Sequence, residues 1–266
     1  MYCRIKGKIR SAGNRTMVFK MNGKRRRRIT AAVIIAGALC ICFLLVVYKG
    51  GTNIRCHTKP FSGQVKVACV GDSITYGTRI FNPFFNSYPS QLSRMLGWEY
   101  HVGNYGNSGK TLSDETKESY RDTQEYKDSL AYAPDIVVIM LGTNDTKTEY
   151  WNGPEAYKEQ YREFLEAYME LESEPEIYLC TPACVYREKE PESASFKYGI
   201  TDGKVLEECQ AVRDLAEEMD LHLIDIHTAT AGHEEWYDED GLHPNRKGAA
   251  VIAKTVKEAL EGDRQQ

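Results

Sequence analysis

From residue 64 onward, short apolar runs alternate with longer stretches in which apolar residues recur every three to four positions. The runs predict strands at 65–70, 100–104, 135–141, 176–180 and 221–226. The amphipathic stretches predict helices near 87–96, 154–172, 203–219 and 246–261. Ile136-Val137-Val138-Ile139-Met140-Leu141 is apolar without interruption, the character of a strand covered on both faces. Between Ala156 and Leu171, Tyr157, Tyr161, Phe164, Leu165, Tyr168 and Leu171 fall at helical spacing and form a stripe that should face a core. Strand–helix alternation implies an α/β domain with a parallel sheet covered on both faces, joined by right-handed crossovers.

The N-terminal pattern is different. Ile29 to Tyr48 carries no charge over twenty residues, and Lys24-Arg25-Arg26-Arg27-Arg28 precedes it. That length suits a bilayer-crossing helix, with the basic cluster holding the N-terminus in the cytoplasm. The expected organisation is a basic cytoplasmic tail (1–28), a transmembrane anchor (29–48), a tether (49–63) and an extracellular domain (64–262). A cleaved signal peptide is the alternative, but its apolar core is normally about 7–15 residues. Met21, directly before the basic cluster, is an alternative start.

Charge follows the same division. Residues 1–28 hold 11 of the 34 Lys and Arg and no acid, which leaves 23 basic residues against 38 acidic ones. An acidic domain argues against nucleic acid as a partner, since phosphate binding needs clustered positive charge. Of the eight cysteines, Cys69 and Cys180 fall on predicted strands and read as buried small hydrophobes. Cys180-Thr181-Pro182-Ala183-Cys184 lacks zinc or redox spacing and has no histidine close in the chain. No disulfide, metal or cofactor is indicated.

Four blocks carry the chemistry. Gly71-Asp72-Ser73-Ile74-Thr75 follows the first strand, and Asn104-Tyr105-Gly106-Asn107-Ser108-Gly109-Lys110-Thr111 follows the second. Gly142-Thr143-Asn144-Asp145 follows the third, and Asp240-Gly241-Leu242-His243-Pro244 precedes the last helix. Each block alone reads as a turn or a helix cap. All four in one order, each at a strand end or helix start, read as a site. Serine needs a base within hydrogen-bond reach. His243 can accept and return a proton, and Asp240, three residues earlier, can fix its tautomer. The N–H of Ser73, the N–H of Gly109 and the amide of Asn144 are candidate donors to an oxyanion. Asp72 and Asp145 read as residues holding two loops. The G-x-S-x-G elbow of α/β-hydrolases is missing.

This set resembles the SGNH hydrolases, the GDSL esterase/lipase family, in which Ser73, Gly109, Asn144 and His243 fall on the four naming positions, over roughly residues 65–260. The resemblance implies a three-layer, flavodoxin-like α/β/α sandwich with five parallel strands. Val67 to Gly77 is most similar to sialate O-acetylesterases and other carbohydrate acetylesterases. It implies a short acyl-ester or acetylated-glycan substrate, with a lipase or lysophospholipase, an O-acetyltransferase or a non-catalytic binding module as the competing readings. Aromatics at 79–88 and 147–151 should rim the site and suit stacking on sugar rings. Oligomeric state is left open.

Overall fold

The computed structural model describes residues 23–48 and 59–262, with side chains placed over 28–42 and 59–262. The chain divides between Phe43 and Leu44 into two units. In the first, helix α1 (Gly23–Tyr48) begins, and the expected anchor falls within that helix. Ile29, Val33, Ile34, Ile35, Leu39 and Ile41 are exposed on it. Among the described residues, no helix is long and apolar enough to cross a membrane. The tether at 49–63, with Cys56, lies largely outside the described residues, as do Cys3 and most of the basic tail.

The remainder is a five-stranded parallel sheet with strand order β2-β1-β3-β4-β5. The strands are β1 (Val65–Gly71), β2 (Tyr100–Gly106), β3 (Ile136–Met140), β4 (Glu176–Cys180) and β5 (His222–Ile224). The main helices are α4 (Tyr88–Leu96), α5 (Gln124–Ala131), α6 (Pro154–Met169), α8 (Asp202–Glu218) and α10 (Arg246–Gly262). Four helices of one turn or little more, α2 (Ser73–Tyr76), α3 (Pro83–Asn86), α7 (Ala194–Tyr198) and α9 (Ile226–Thr230), lie in the connections.

Alternating strand residues feed two cores. Val67, Cys69, Val138, Met140 and Cys180 pack with Leu92 of α4 and Ile252, Val256 and Leu260 of α10. Ala68, Val70, Val137, Ile139 and Leu179 pack on the opposite face with α6 and α8. The stripe expected on α6 is there: Tyr157, Tyr161, Phe164, Leu165 and Tyr168 are buried. The predicted helices match α4, α6, α8 and α10 closely. The last strand is shorter than expected because Asp225 turns the chain, its carboxylate accepting the Thr228 N–H at 3.1 Å and capping α9. Helix α5 was not foreseen. Only Tyr126 and Leu130 supply its apolar side, too few for a periodic signal, and the Thr123 hydroxyl starts it by capping the Tyr126 N–H.

Candidate active site

The order 2-1-3-4-5 puts its topological reversal between β1 and β3, and open α/β sheets bind ligands at the carboxyl ends of strands flanking such a point. Ser73 stands there, at the first position of α2, after Gly71 ends β1. Asp72 makes the turn: its Oδ1 accepts the Ile74 N–H at 2.9 Å as an N-cap. The Ser73 N–H, as the first amide of a helix, has no intrahelical acceptor.

His243 arrives from the far end of the chain. Its backbone carbonyl accepts the Asp238 N–H at 2.8 Å, and a bridge between Tyr237 and Pro244 closes the loop. The turn depends on Gly241, with φ +68°. A Cβ there would stand 2.3 Å from the Tyr186 carbonyl oxygen, so both backbone conformation and close approach select glycine. The turn also lets Asp240 bind twice. Its Oδ1 accepts the N–H groups of Leu242 (3.1 Å) and His243 (3.0 Å), and its Oδ2 lies 2.6 Å from His243 Nδ1. His243 Nε2 is 2.9 Å from Ser73 Oγ. A proton on Nδ1, facing the carboxylate, leaves Nε2 free to accept from the serine. Burial opposes ionisation of Asp240, but the hydrogen bonds and charge of His243 outweigh it and hold the carboxyl at about 2. Arg79 adds a contact the sequence did not signal. Its Nε pairs with Asp238 and lies 3.4 Å from Asp240 Oδ2.

The other two blocks close on the serine. The Asn107 N–H donates to Gly71 O (2.9 Å), and Asn104 Nδ2 donates to Thr75 O (3.0 Å), so the segment after β2 is tied to α2. Gly109 has φ +81° with no protein atom within 4 Å of a hypothetical Cβ. Conformation, not crowding by the protein, demands glycine there. Asn144 Nδ2 donates to Lys110 O (3.0 Å) and to Asp72 Oδ2 (3.3 Å), so its amide joins the Gly109 loop to the Ser73 turn. Asp145 does what was expected of it: it accepts the N–H groups of Leu112 and Ser113, both at 2.9 Å, clamping that loop. Burial raises Asp72 to about 6 and Asp145 to about 7, despite these bonds. All five expected side chains and glycines therefore converge, with Ser73 and Asn144 only 7% and 6% exposed.

The rim aromatics divide. Phe81 and Phe85 are exposed, but Tyr88 is fully buried, and Trp151 packs at 6.4 Å from the Tyr157 ring, closing the fold. Tyr198, exposed and 5.3 Å from Lys147 Nζ, belongs to the same rim and was missed.

Residues 69–251 match the family model described as GDSL-like Lipase/Acylhydrolase family, and the chain belongs to that family. It is 30% identical over 229 residues to an acetylxylan esterase of Xylanibacter ruminicola, covering 79% of this chain and 46% of that protein. The chain thus spans about half the length of that relative. Among solved structures, a carbohydrate acetylesterase from Sinorhizobium meliloti superposes with TM-score 0.62 at 20% identity, over 75% of this chain and 99% of the other. A lipase/acylhydrolase from Enterococcus faecalis gives 0.58 at 24%, over 75% and 97%. These two show a shared fold.

Proposed function

We propose that this protein removes short acyl groups, acetyl above all, from carbohydrate esters through Ser73, His243 and Asp240. The observation that carries this reading is the unbroken line from Ser73 Oγ to His243 Nε2 (2.9 Å) and from His243 Nδ1 to Asp240 (2.6 Å). His243 takes the serine proton as Oγ bonds to the acyl carbon, and Asp240 stabilises the imidazolium. The former carbonyl oxygen gathers negative charge against the N–H groups of Ser73 and Gly109 and the Asn144 amide. Asn144 turns its longer bond, now directed at Asp72, toward that oxygen. His243 then protonates the leaving alcohol, and water repeats the cycle on the acyl-enzyme, releasing the acid.

Three features support a small acyl group on a sugar. The nucleophile is nearly enclosed. Exposed Phe81, Phe85 and Tyr198 offer ring faces on the connections that follow β1 and β4. The curated relative is named an acetylxylan esterase. A panel of p-nitrophenyl esters and acetylated sugars tests the reading. Each methylene buried in a fitting groove contributes about 0.8 kcal/mol, so a lipase gains with chain length. Here kcat/KM should fall from two carbons to eight or more. A steady climb to ten carbons would replace the acetylesterase with a lipase.

We further propose that residues 29–48 anchor the protein in a membrane with the hydrolase outside the cell. The support lies in the sequence, where Arg25 to Arg28 abut twenty uncharged residues. Protease applied to intact cells should remove the part after Tyr48 and spare the N-terminal tail. A fully protected domain, or a mature N-terminus after residue 48, would contradict the anchor.

A further inference from the structure

Sequence spacing around Cys184 shows no metal motif, yet folding brings three donors of different chemistry together. Cys184 lies in the segment after β4, Asp202 is the first residue of α8, and His227 sits in α9. One ligating atom from each lies within 4.8 Å of the others. His227 Nε2 is 3.5 Å from Asp202 Oδ1. We infer that Cys184, Asp202 and His227 form a binding site for a borderline-soft divalent cation of the zinc class.

A weak ion pair beside an inert thiol is the ordinary reading, and the hydrogen bonding argues against it. His227 is 8% exposed, and its Nε2 is buried without a hydrogen-bond partner. Were the imidazole simply paired with Asp202, that nitrogen would donate to the carboxylate; instead it faces the group of donors unsatisfied. A second serine-type relay is excluded by the thiol, which donates to the His227 backbone carbonyl (3.2 Å) and not to the ring.

The donor set fits the ion. Nitrogen and sulfur ligands select zinc-like metals over magnesium or calcium. Metal–ligand bonds of about 2.0–2.3 Å put tetrahedral ligands roughly 3.3–3.8 Å apart. Asp202 and His227 already meet that spacing, and Cys184 needs a side-chain adjustment of about 1 Å. Thiolate and carboxylate together balance a double positive charge, and binding releases the Cys184 proton to solvent. Half-exposed Asp202 leaves an entry path and a place for a water ligand.

The site shares no residue with Ser73, Asp240 and His243. Its reach toward them is mechanical: two residues from Cys184, the Tyr186 N–H donates to Gly241 O at 2.7 Å, inside the turn that holds Asp240 and His243. An ion that pins Cys184 to α8 and α9 therefore braces that turn.

The test uses the full chain, stripped with chelator and titrated with Co²⁺. One equivalent should give a thiolate-to-cobalt charge-transfer band in the near ultraviolet, and Zn²⁺ should displace it. The band should vanish in Cys184→Ser, which discriminates this site from the other cysteines. Asp202→Asn, on a partly exposed side chain, should fold normally and weaken binding roughly tenfold or more. Zn²⁺ should raise the Tm of the wild type by mass action and leave that of His227→Ala unmoved. Absence of the band at saturating cobalt, or wild-type binding retained by Cys184→Ser and Asp202→Asn, overturns the site. None of these readings involves ester hydrolysis.

Discussion

Two aspartate–histidine pairs stand at the carboxyl edge of this sheet, each beside a side chain that can act as a nucleophile, and their geometries serve different ends. In the Ser73 group, His243 spends one ring nitrogen on Asp240 and the other on the serine, at 2.6 and 2.9 Å. The three groups form a line along which a proton can move. In the Cys184 group, the thiol bonds a backbone carbonyl, and the imidazole nitrogen and carboxylate face each other at 3.5 Å without a hydrogen bond. These donors converge on a point and pass nothing along. Residue types are almost the same in the two; the distances separate a relay from a ligand set.

The largest effect that tests this contrast is loss of the serine. Ser73→Ala should reduce ester hydrolysis to background while the circular dichroism and Tm stay near wild type, because a hydroxyl at a helix start contributes little packing. Iodoacetamide should leave wild-type activity intact, since Cys184 is nearly buried and burial raises its thiol above the ordinary value. More than a few per cent of activity in Ser73→Ala, or rapid inactivation by the alkylating agent, would move the chemistry to the wrong cluster.

Next in size is Asn144→Ala. If its amide turns from Asp72 to the oxyanion, kcat should fall by roughly 10²–10³ with KM changed much less. The same side chain bonds Lys110 O and Asp72, so a structural loss must be separated from a chemical one. Ground-state binding measured with a non-hydrolysable substrate analogue makes that separation. Weakened binding with kcat preserved would reduce Asn144 to a brace between two loops.

What the sequence displayed, and what it hid, follows from range. Ser73, Gly109, Asn144, Asp240 and His243 each sit in a short block whose turn chemistry is local, and alternating strands and helices place those blocks at one edge. Asp145 could be read as a clamp for the same reason. Arg79 meets Asp238 across 159 residues and bears no local mark. His227 and Cys184 are 43 apart and share no motif. Glu208 is the sharpest case. On α8, Leu206 and Glu207 are exposed while Glu208 is buried, against the simple expectation for that stretch. Its carboxyl lies beneath Gly142, where any side chain would run into it and into Tyr157.

Glu208 also supplies the smallest and most quantitative test of what a partner does for a buried acid. Asp240 has an imidazole and stays ionised down to about 2. Glu208 has no charged partner among the described residues; the Tyr157 hydroxyl lies beside it but gives its proton to Leu141 O (2.8 Å). Burial first, and then the nearby Asp145 charge, push its carboxyl well above the usual range. Folded protein therefore keeps the Glu208 proton, while the unfolded chain releases it above about 4.3. The unfolded state binds fewer protons, so this group's contribution is fully present below that value and is lost as pH rises toward the folded pKa, by up to about 1.4 kcal/mol per pH unit. Glu208→Gln keeps the shape and cannot ionise. Its Tm should lie near the wild type at pH 5 and exceed it by up to about 3–6 °C for each pH unit above that, the gap widening with pH. Asp72 and Asp145 titrate in both proteins, so the difference between them reports Glu208 together with its coupling to Asp145. A gap of constant size across pH 5–8 would show that Glu208 is ionised in the folded protein and that an unseen partner satisfies it.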